Sequence, residues 1–153
     1  MGKLILGILT IGFLFSASEQ DTETRVKMKD LPAAVQKTVL EQSKGATVRG
    51  LTKEVEDGKT FYELELKVNG HTKDVLMDPA GAIVTIEEQV TLASLPAAVR
   101  TAFETQAGKA KILLVESITQ NNAIVAYEAH LKKAGKESEI KVKPDRTLLP
   151  ENP

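Results

Sequence analysis

The stretch Leu31-Pro32-Ala33-Ala34-Val35 occurs twice in this chain, because Leu95-Pro96-Ala97-Ala98-Val99 repeats it 64 positions later. The stretch Tyr62-Glu63-Leu64-Glu65-Leu66 is matched in the same way by Tyr127-Glu128-Ala129-His130-Leu131, at an offset of 65. Several further residues match in the same register. A repeat at a fixed period indicates a structural unit that is present more than once. We therefore predict that the 153 residues contain two similar units.

Each unit is predicted to begin with a helix. Asp30 and Ser94 are of the types that cap helix N-termini, and Pro32 and Pro96 suit the first helical turn. Apolar residues then recur at helical spacing in both copies, which gives each helix one apolar stripe.

Four strands are predicted to follow each helix, because runs of alternating residues are separated by turn sequences. The fold class predicted from this order is α+β, with two tandem repeats that each pack one helix on a four-stranded antiparallel meander sheet. Pairing the two sheets edge to edge, or packing the helices together, would cover an exposed edge. The turns used are Asp57-Gly58, Asn69-Gly70 and Asp78-Pro79-Ala80-Gly81 in the first unit and Asn121-Asn122 in the second.

The N-terminus has the pattern of a secretory signal peptide. Lys3 precedes an apolar run from Leu4 to Phe15 that is too short to span a bilayer, and Ser16-Ala17-Ser18 follows it. We assign residues 1–18 to a signal peptide, 19–29 to a loose leader, 30–90 to the first repeat and 91–153 to the second. The expected location is the periplasm or the exterior.

Composition narrows the possible partners and chemistry. The formal net charge is −1, so neither nucleic acid nor an anionic membrane is expected as a partner. The chain has no Cys, which removes disulfides, Cys nucleophiles and Cys-ligated metal sites, and we expect no lipid anchor after cleavage.

The duplicated Ser/Asp-Leu-Pro-Ala-Ala-Val helix start, the Tyr62–Leu66 strand and the Asp78–Gly81 turn resemble the PepSY-like family of exported bacterial proteins. That family is grouped with beta-lactamase-inhibitor-like folds, and the resemblance spans about residues 28 to 149. It implies the fold and an association with peptidase inhibition. These motifs are structural, and no binding residue of the family is recognisable here.

Few residues are candidates for chemistry. The chain has two histidines, His71 beside a turn and His130 on a strand, and both are interpreted as solvated rather than as ligands. Glu63 and Glu65 share a strand face, where paired acids could hold Ca²⁺ or serve a glycosidase, but surface charge is the preferred interpretation. No nucleophile elbow, Walker loop or HExxH motif is present. We therefore expect no enzymatic activity, no metal and no cofactor.

The leading functional interpretation is an exported, non-enzymatic binding or interaction module, with a weak inhibitor or regulator of an envelope or secreted protein as one form of it. A small extracytoplasmic hydrolase and a purely structural envelope protein are the alternatives. The partner, a protein or peptide, is not identified by the sequence. Strand alternation turns one set of residues away from the helices, and these form the predicted partner surface: Phe61, Glu63, Glu65, Lys67, Glu128, His130 and Lys132.

The signal peptide leads to the first testable prediction. We expect the native protein to lack residues 1–18, because signal peptidase recognises the small residues Ser16 and Ser18. Mass spectrometry of the protein from fractionated cells measures the N-terminus. An intact Met1 on a cytoplasmic protein would contradict export.

Overall fold

The computed structural model describes residues 22–150, so the signal peptide and its cleavage site lie outside the described residues. These residues form nine strands, two α-helices and two short 3-10 helices. The helices are α1 (Ala33–Gln42) and α2 (Ala97–Ala107), preceded by 3-10 helices at Met28–Asp30 and Leu92–Ser94. The strands are β1 (Thr22–Arg25), β2 (Thr47–Glu56), β3 (Lys59–Val68), β4 (His71–Met77), β5 (Ile83–Gln89), β6 (Lys111–Gln120), β7 (Ala123–Lys133), β8 (Lys136–Val142) and β9 (Leu148–Leu149).

All nine strands belong to one antiparallel sheet in which every strand pairs with its neighbours in sequence. The predicted fold class, two repeats that each carry a four-stranded sheet, is therefore wrong. The cause is the pairing of β5 with β6, in which Ile86–Gln89 align with Glu116–Thr119. Two separate sheets would each have left unpaired N–H and C=O groups at that edge, and the pairing satisfies them.

The predicted loose leader, residues 19–29, is also wrong over its described part. Thr22–Arg25 form strand β1, which pairs with Thr52–Val55 of β2. A short 3-10 helix at Met28–Asp30 then leads into α1. The leader thus extends the sheet by one strand.

The two helices begin one residue after the prolines, but their caps differ from the predicted ones. Pro32 and Pro96 occupy the N-cap positions, and neither helix has a side-chain hydrogen bond at its cap. Asp30 and Ser94 instead end the preceding 3-10 helices. Within residues 22–150, neither helix has the length and apolar character needed to cross a membrane.

The hairpin turns lie at the residues that the sequence predicts. Asp57, Asn69, Asn121 and Asn122 all have positive φ, as tight hairpin turns between twisted strands require. The strand limits follow from these turns.

Both helices pack on the same face of the sheet, each over its own apolar cluster. Under α1, Val35 and Val39 pack with Leu64, Val75 and neighbouring strand residues. Under α2, a second cluster of the same kind is centred on its largest side chain. That side chain, Phe103, is fully buried, which contributes about 1.5–3 kcal/mol.

The turn between β4 and β5 docks on α1. Gly81 has a φ of 78°, and its carbonyl oxygen accepts a hydrogen bond of 2.7 Å from Thr38 Oγ1. A Cβ at Gly81 would lie 2.6 Å from the Ala34 carbonyl oxygen. This close approach ties the first helix to the sheet.

We expect Gly81→Ala to lower the free energy of unfolding more than Gly70→Ala does. Both glycines have positive φ, so either alanine costs about 1–2 kcal/mol in backbone strain. Only the Gly81 variant also collides with a helix backbone, which adds about 1–3 kcal/mol. Urea unfolding of both variants measures the difference. Equal losses would show that the turn does not dock tightly on α1.

Candidate functional site

The face of the sheet turned away from the helices is the candidate site, and we call it the open face. Alternation in β3 turns Tyr62 and Leu64 toward α1, so Phe61, Glu63 and Glu65 belong to the open face. Cross-strand pairing continues the face over the neighbouring strands. Among the described residues, neither helix lies on this side.

Carboxylates are buried on the open face. Five glutamates there are each no more than 8% exposed, although charged side chains are almost never fully buried without partners. The β2–β3, β4–β5 and β6–β7 pairs each contain a bulge, a feature that bends strands. The five residues are Glu54, Glu63, Glu87, Glu116 and Glu128.

A cleft of about 440 Å³ lies on the open face of the first half. Five of its lining residues are acids and two are bases, Arg49 and Lys67. Arg25 lies 3.1 Å from Glu65 and compensates one of the acids. Acidic side chains therefore outnumber basic ones in the cleft lining, and the acids are Glu23, Glu54, Glu63, Glu65 and Asp74.

The environment of the cleft strongly affects Glu63. Burial, first, and the negative charges of Glu54, Asp74, Glu65 and Glu23 together raise the pKa of Glu63 from 4.5 to about 8. Desolvation and like charges both disfavour the carboxylate form. Glu63 is thus largely a neutral carboxylic acid at pH 7.

In the second half, a histidine takes the place of one carboxylate. His130 lies on β7, where its Nε2 is 2.9 Å from Glu116 Oε2 and its Nδ1 is 3.5 Å from Glu139 Oε1. Glu128, two residues earlier on the same face, has its Oε2 3.4 Å from Lys141 Nζ. Two carboxylates thus contact the imidazole ring, and an ion pair between Glu128 and Lys141 lies on the same face.

Burial dominates the pKa of the acids in this half. Burial and a hydrogen bond with Glu139 together raise the pKa of Glu128 to about 8, although Lys141 opposes them. Burial and the charges of Glu128 and Glu116 hold the pKa of Glu87 well above its usual range. The ion pair with Lys141 is therefore too weak to offset the desolvation of Glu128.

His130 shows the opposite balance. Burial lowers the pKa of His130, but the hydrogen bond to Glu116 and the negative charges around the ring outweigh burial and leave the pKa above its usual value. The imidazole is thus held by its acidic neighbours and is not a solvated surface group.

The structure places the residues of the predicted partner surface on one face but not in one environment. The sequence interpretation of Glu63 as surface charge is wrong, since Glu63 is buried, and Glu128 of the same predicted surface is buried as well. The interpretation of His130 as a surface histidine is also wrong, because its side chain is only 15% exposed. Phe61 is half-buried, and Lys67 is exposed beside the cleft.

The remaining predicted residues lie at the margins of the face. Glu65 pairs with Arg25, and Lys132 forms a 2.9 Å ion pair with Glu137. His71 is exposed at the start of β4. Sequence reasoning missed Glu54 and Glu116, although strand alternation carried to β2 and β6 would have assigned them to this face.

No protein-family model matches the chain, and no curated protein matches it significantly. Solved structures do match. A Bacteroides eggerthii protein considered periplasmic is 20% identical, with a TM-score of 0.63 over 80% of this chain and 88% of that chain. A DUF2874 family protein from Bacteroides ovatus is 21% identical, with a TM-score of 0.60 over 80% and 86%. A BLIP-like protein from Bacteroides fragilis is 20% identical, with a TM-score of 0.56 over 80% and 85%.

At these identities the likeness shows the fold alone. The chain has the fold of the BLIP-like protein, as the sequence resemblance implied. The narrower assignment to the PepSY-like family stays a prediction.

The raised pKa of Glu63 predicts how stability depends on pH. Between about pH 4.5 and about pH 8, folded Glu63 holds a proton that the unfolded chain has released. Stability therefore falls as pH rises, by up to about 1.4 kcal/mol per pH unit for one proton. We expect Glu63→Gln to reduce this slope without abolishing it, because Glu87 and Glu128 act in the same direction.

Urea unfolding across this pH range measures the slope for both proteins. Glu104→Gln, which removes an exposed glutamate on α2, is the matched control and should keep the wild-type slope. Identical slopes in wild type and Glu63→Gln would show that Glu63 is not a neutral acid in the folded protein.

Proposed function

We propose that this protein is an exported, non-enzymatic module that binds a positively charged segment of a partner protein in the acidic cleft of the open face. The observation that carries the proposal is the cleft lining, with five acids against two bases and a buried Glu63 among them. Export is supported by the N-terminal pattern and by structural relatives considered periplasmic. The lack of a catalytic motif in the sequence favours binding over catalysis.

A cationic partner fits the energetics of the cleft. Removing carboxylates from water is costly unless an opposite charge compensates them. Arg25 compensates Glu65 in the free protein. A lysine or arginine of a partner would lower the pKa of Glu63 and convert it to a carboxylate, which strengthens the contact.

Phe61 supplies an apolar contact beside the cleft. It is the cross-strand neighbour of Glu54 and lies two residues before Glu63 on the same strand face. The ring is half-buried, so part of it remains accessible. A guanidinium or ammonium group can stack on an aromatic ring while it pairs with a nearby carboxylate. Together, Phe61 and the acids favour arginine or lysine over an apolar side chain.

The fold makes a protein partner reasonable, because a BLIP-like protein is among the structural relatives. Large aromatic and arginine anchors dominate tight interfaces, and this chain has no Trp. The proposed interaction is accordingly weak or transient, consistent with a regulator rather than with a tight inhibitor.

The test compares lysine- and arginine-rich peptides with acidic peptides of equal length in titrations with the exported protein. We expect only the basic peptides to bind, with an affinity that falls as salt rises. Glu65→Gln should weaken binding by about 1–3 kcal/mol, the scale of a charge-assisted hydrogen bond. Phe61→Ala should weaken it by about 1–3 kcal/mol, the scale of an aromatic anchor. Glu104→Gln on α2 is the control and should bind as wild type does.

The pH dependence of peptide binding provides an independent readout. Affinity should rise from about pH 6 to about pH 8 as Glu63 becomes easier to ionise, and Glu63→Gln should remove most of this rise. The charged groups that face Glu63 are Glu54 on β2, Glu65 on its own strand, Asp74 on β4 and Glu23 on β1. Equal binding of basic and acidic peptides, or no effect of Glu65→Gln and Phe61→Ala, would refute the proposal. A large loss of melting temperature in Phe61→Ala would show that the ring is part of the core.

A further inference from the structure

We propose that Glu128, His130 and Glu139 form a site for a divalent transition-metal ion such as Zn²⁺. One potential ligand atom from each residue lies within 4.8 Å of the other two. The site is on the open face of the second half and is independent of the proposed cationic partner. Its residue set, one imidazole and two carboxylates, suits a transition metal better than Ca²⁺ or Mg²⁺.

The register of the sheet brings the three residues together. His130 on β7 is the cross-strand neighbour of Glu139 on β8, and Glu128 is two residues before His130 on the same strand face. Such neighbours stand side by side on an antiparallel sheet. Zinc ligands about 2.0–2.2 Å from the metal lie roughly 3.3 Å apart in a tetrahedral site, so a small inward movement of these side chains would suffice.

Glu116 fixes the orientation of the imidazole. A carboxylate accepts hydrogen bonds and does not donate them, so the proton in the 2.9 Å contact belongs to His130 Nε2. The other ring nitrogen, Nδ1, lies 3.5 Å from Glu139 Oε1. Either a proton on Nδ1 or a metal ion bound by both atoms would make this contact favourable. A carboxylate that holds the remote nitrogen of a metal-binding histidine is a common supporting contact.

Glu128 supplies the second, independent observation. Its side chain is only 2% exposed, and its Oε2 is a buried atom without a hydrogen bond. Lys141 Nζ lies 3.4 Å from this oxygen as an ion-pair contact, and buried polar atoms in native proteins almost always have a hydrogen-bond partner as well. A metal ion would satisfy the oxygen directly.

The local charges are compatible with a cation. Glu116, Glu128 and Glu139 surround His130, and Lys141 is the cation next to them. A divalent ion would replace part of the role of Lys141, whose long side chain can move its ammonium group into water. The simplest competing arrangement is a proton shared between Glu128 and Glu139, with no metal affinity.

The experiment is a titration of the chelator-treated, untagged protein with Zn²⁺, followed by metal analysis after dialysis. We expect one Zn²⁺ per chain, a higher melting temperature in its presence, and weaker binding of Ca²⁺ and Mg²⁺. His130→Gln and Glu128→Gln should each lower Zn²⁺ affinity at least about tenfold. His71→Gln, which removes the other histidine of the chain, is the matched control and should bind Zn²⁺ as wild type does.

Glu139→Gln is a second test variant, because its side chain is partly exposed and its loss should leave the fold intact. It should also weaken Zn²⁺ binding, with an unchanged melting temperature in the absence of metal. Bound Co²⁺ should give a visible absorption band that His130→Gln loses. Substoichiometric Zn²⁺, an equal loss of affinity in His71→Gln, or Ca²⁺ binding as tight as Zn²⁺ would overturn the proposal. Unchanged affinity in Glu128→Gln would overturn it as well.

Discussion

The pairing of β5 with β6 is the interaction on which the rest of the structure depends. It aligns Gln89 with Glu116 and Glu87 with Ile118, and so joins two helix-covered halves into one sheet. Each half alone would bury only a small core, which is a marginal basis for stability in a chain without disulfides. The same pairing makes the open face continuous, because the acids of β5 and β6 become neighbours of those on β3, β4 and β7.

The side of the sheet that the helices leave uncovered differs in composition from the side that they cover. Here that side carries buried carboxylates in place of apolar residues, and their desolvation is opposed by few cations. Burial raises the pKa of Glu63 and Glu128, and a bound proton removes the charge that would otherwise be desolvated. Such a face is less stable than an apolar one would be, and a ligand with positive charge lowers that cost. A loss of folding stability of this kind is typical of functional surfaces.

The elements of the fold were predictable from the sequence because they depend on local chemistry. Asn69-Gly70 and Asn121-Asn122 require positive φ, and alternation between them defines the strands. The single sheet was not predictable. The two repeats could have joined either by pairing their sheet edges or by packing their helices together, and no local motif distinguishes these arrangements. Strand alternation assigned Glu63 and Glu128 to the correct face of the sheet, but it does not predict whether the side chains on that face are exposed to solvent. The contact of His130 with Glu116 depends on the register shift between Ile118 and Thr119, which lies between the hairpin turn and this contact and which no turn residue predicts.

The two outermost strands of the described sheet are short. β1 has four residues, all exposed, and β9 has two. Next to β9, the uncovered part of β8 begins Lys136-Glu137-Ser138-Glu139, in which three of four residues are charged. Short, polar or charged borders offer little template for another chain to add a strand. Borders of this kind therefore protect both ends of the described sheet against fibril growth.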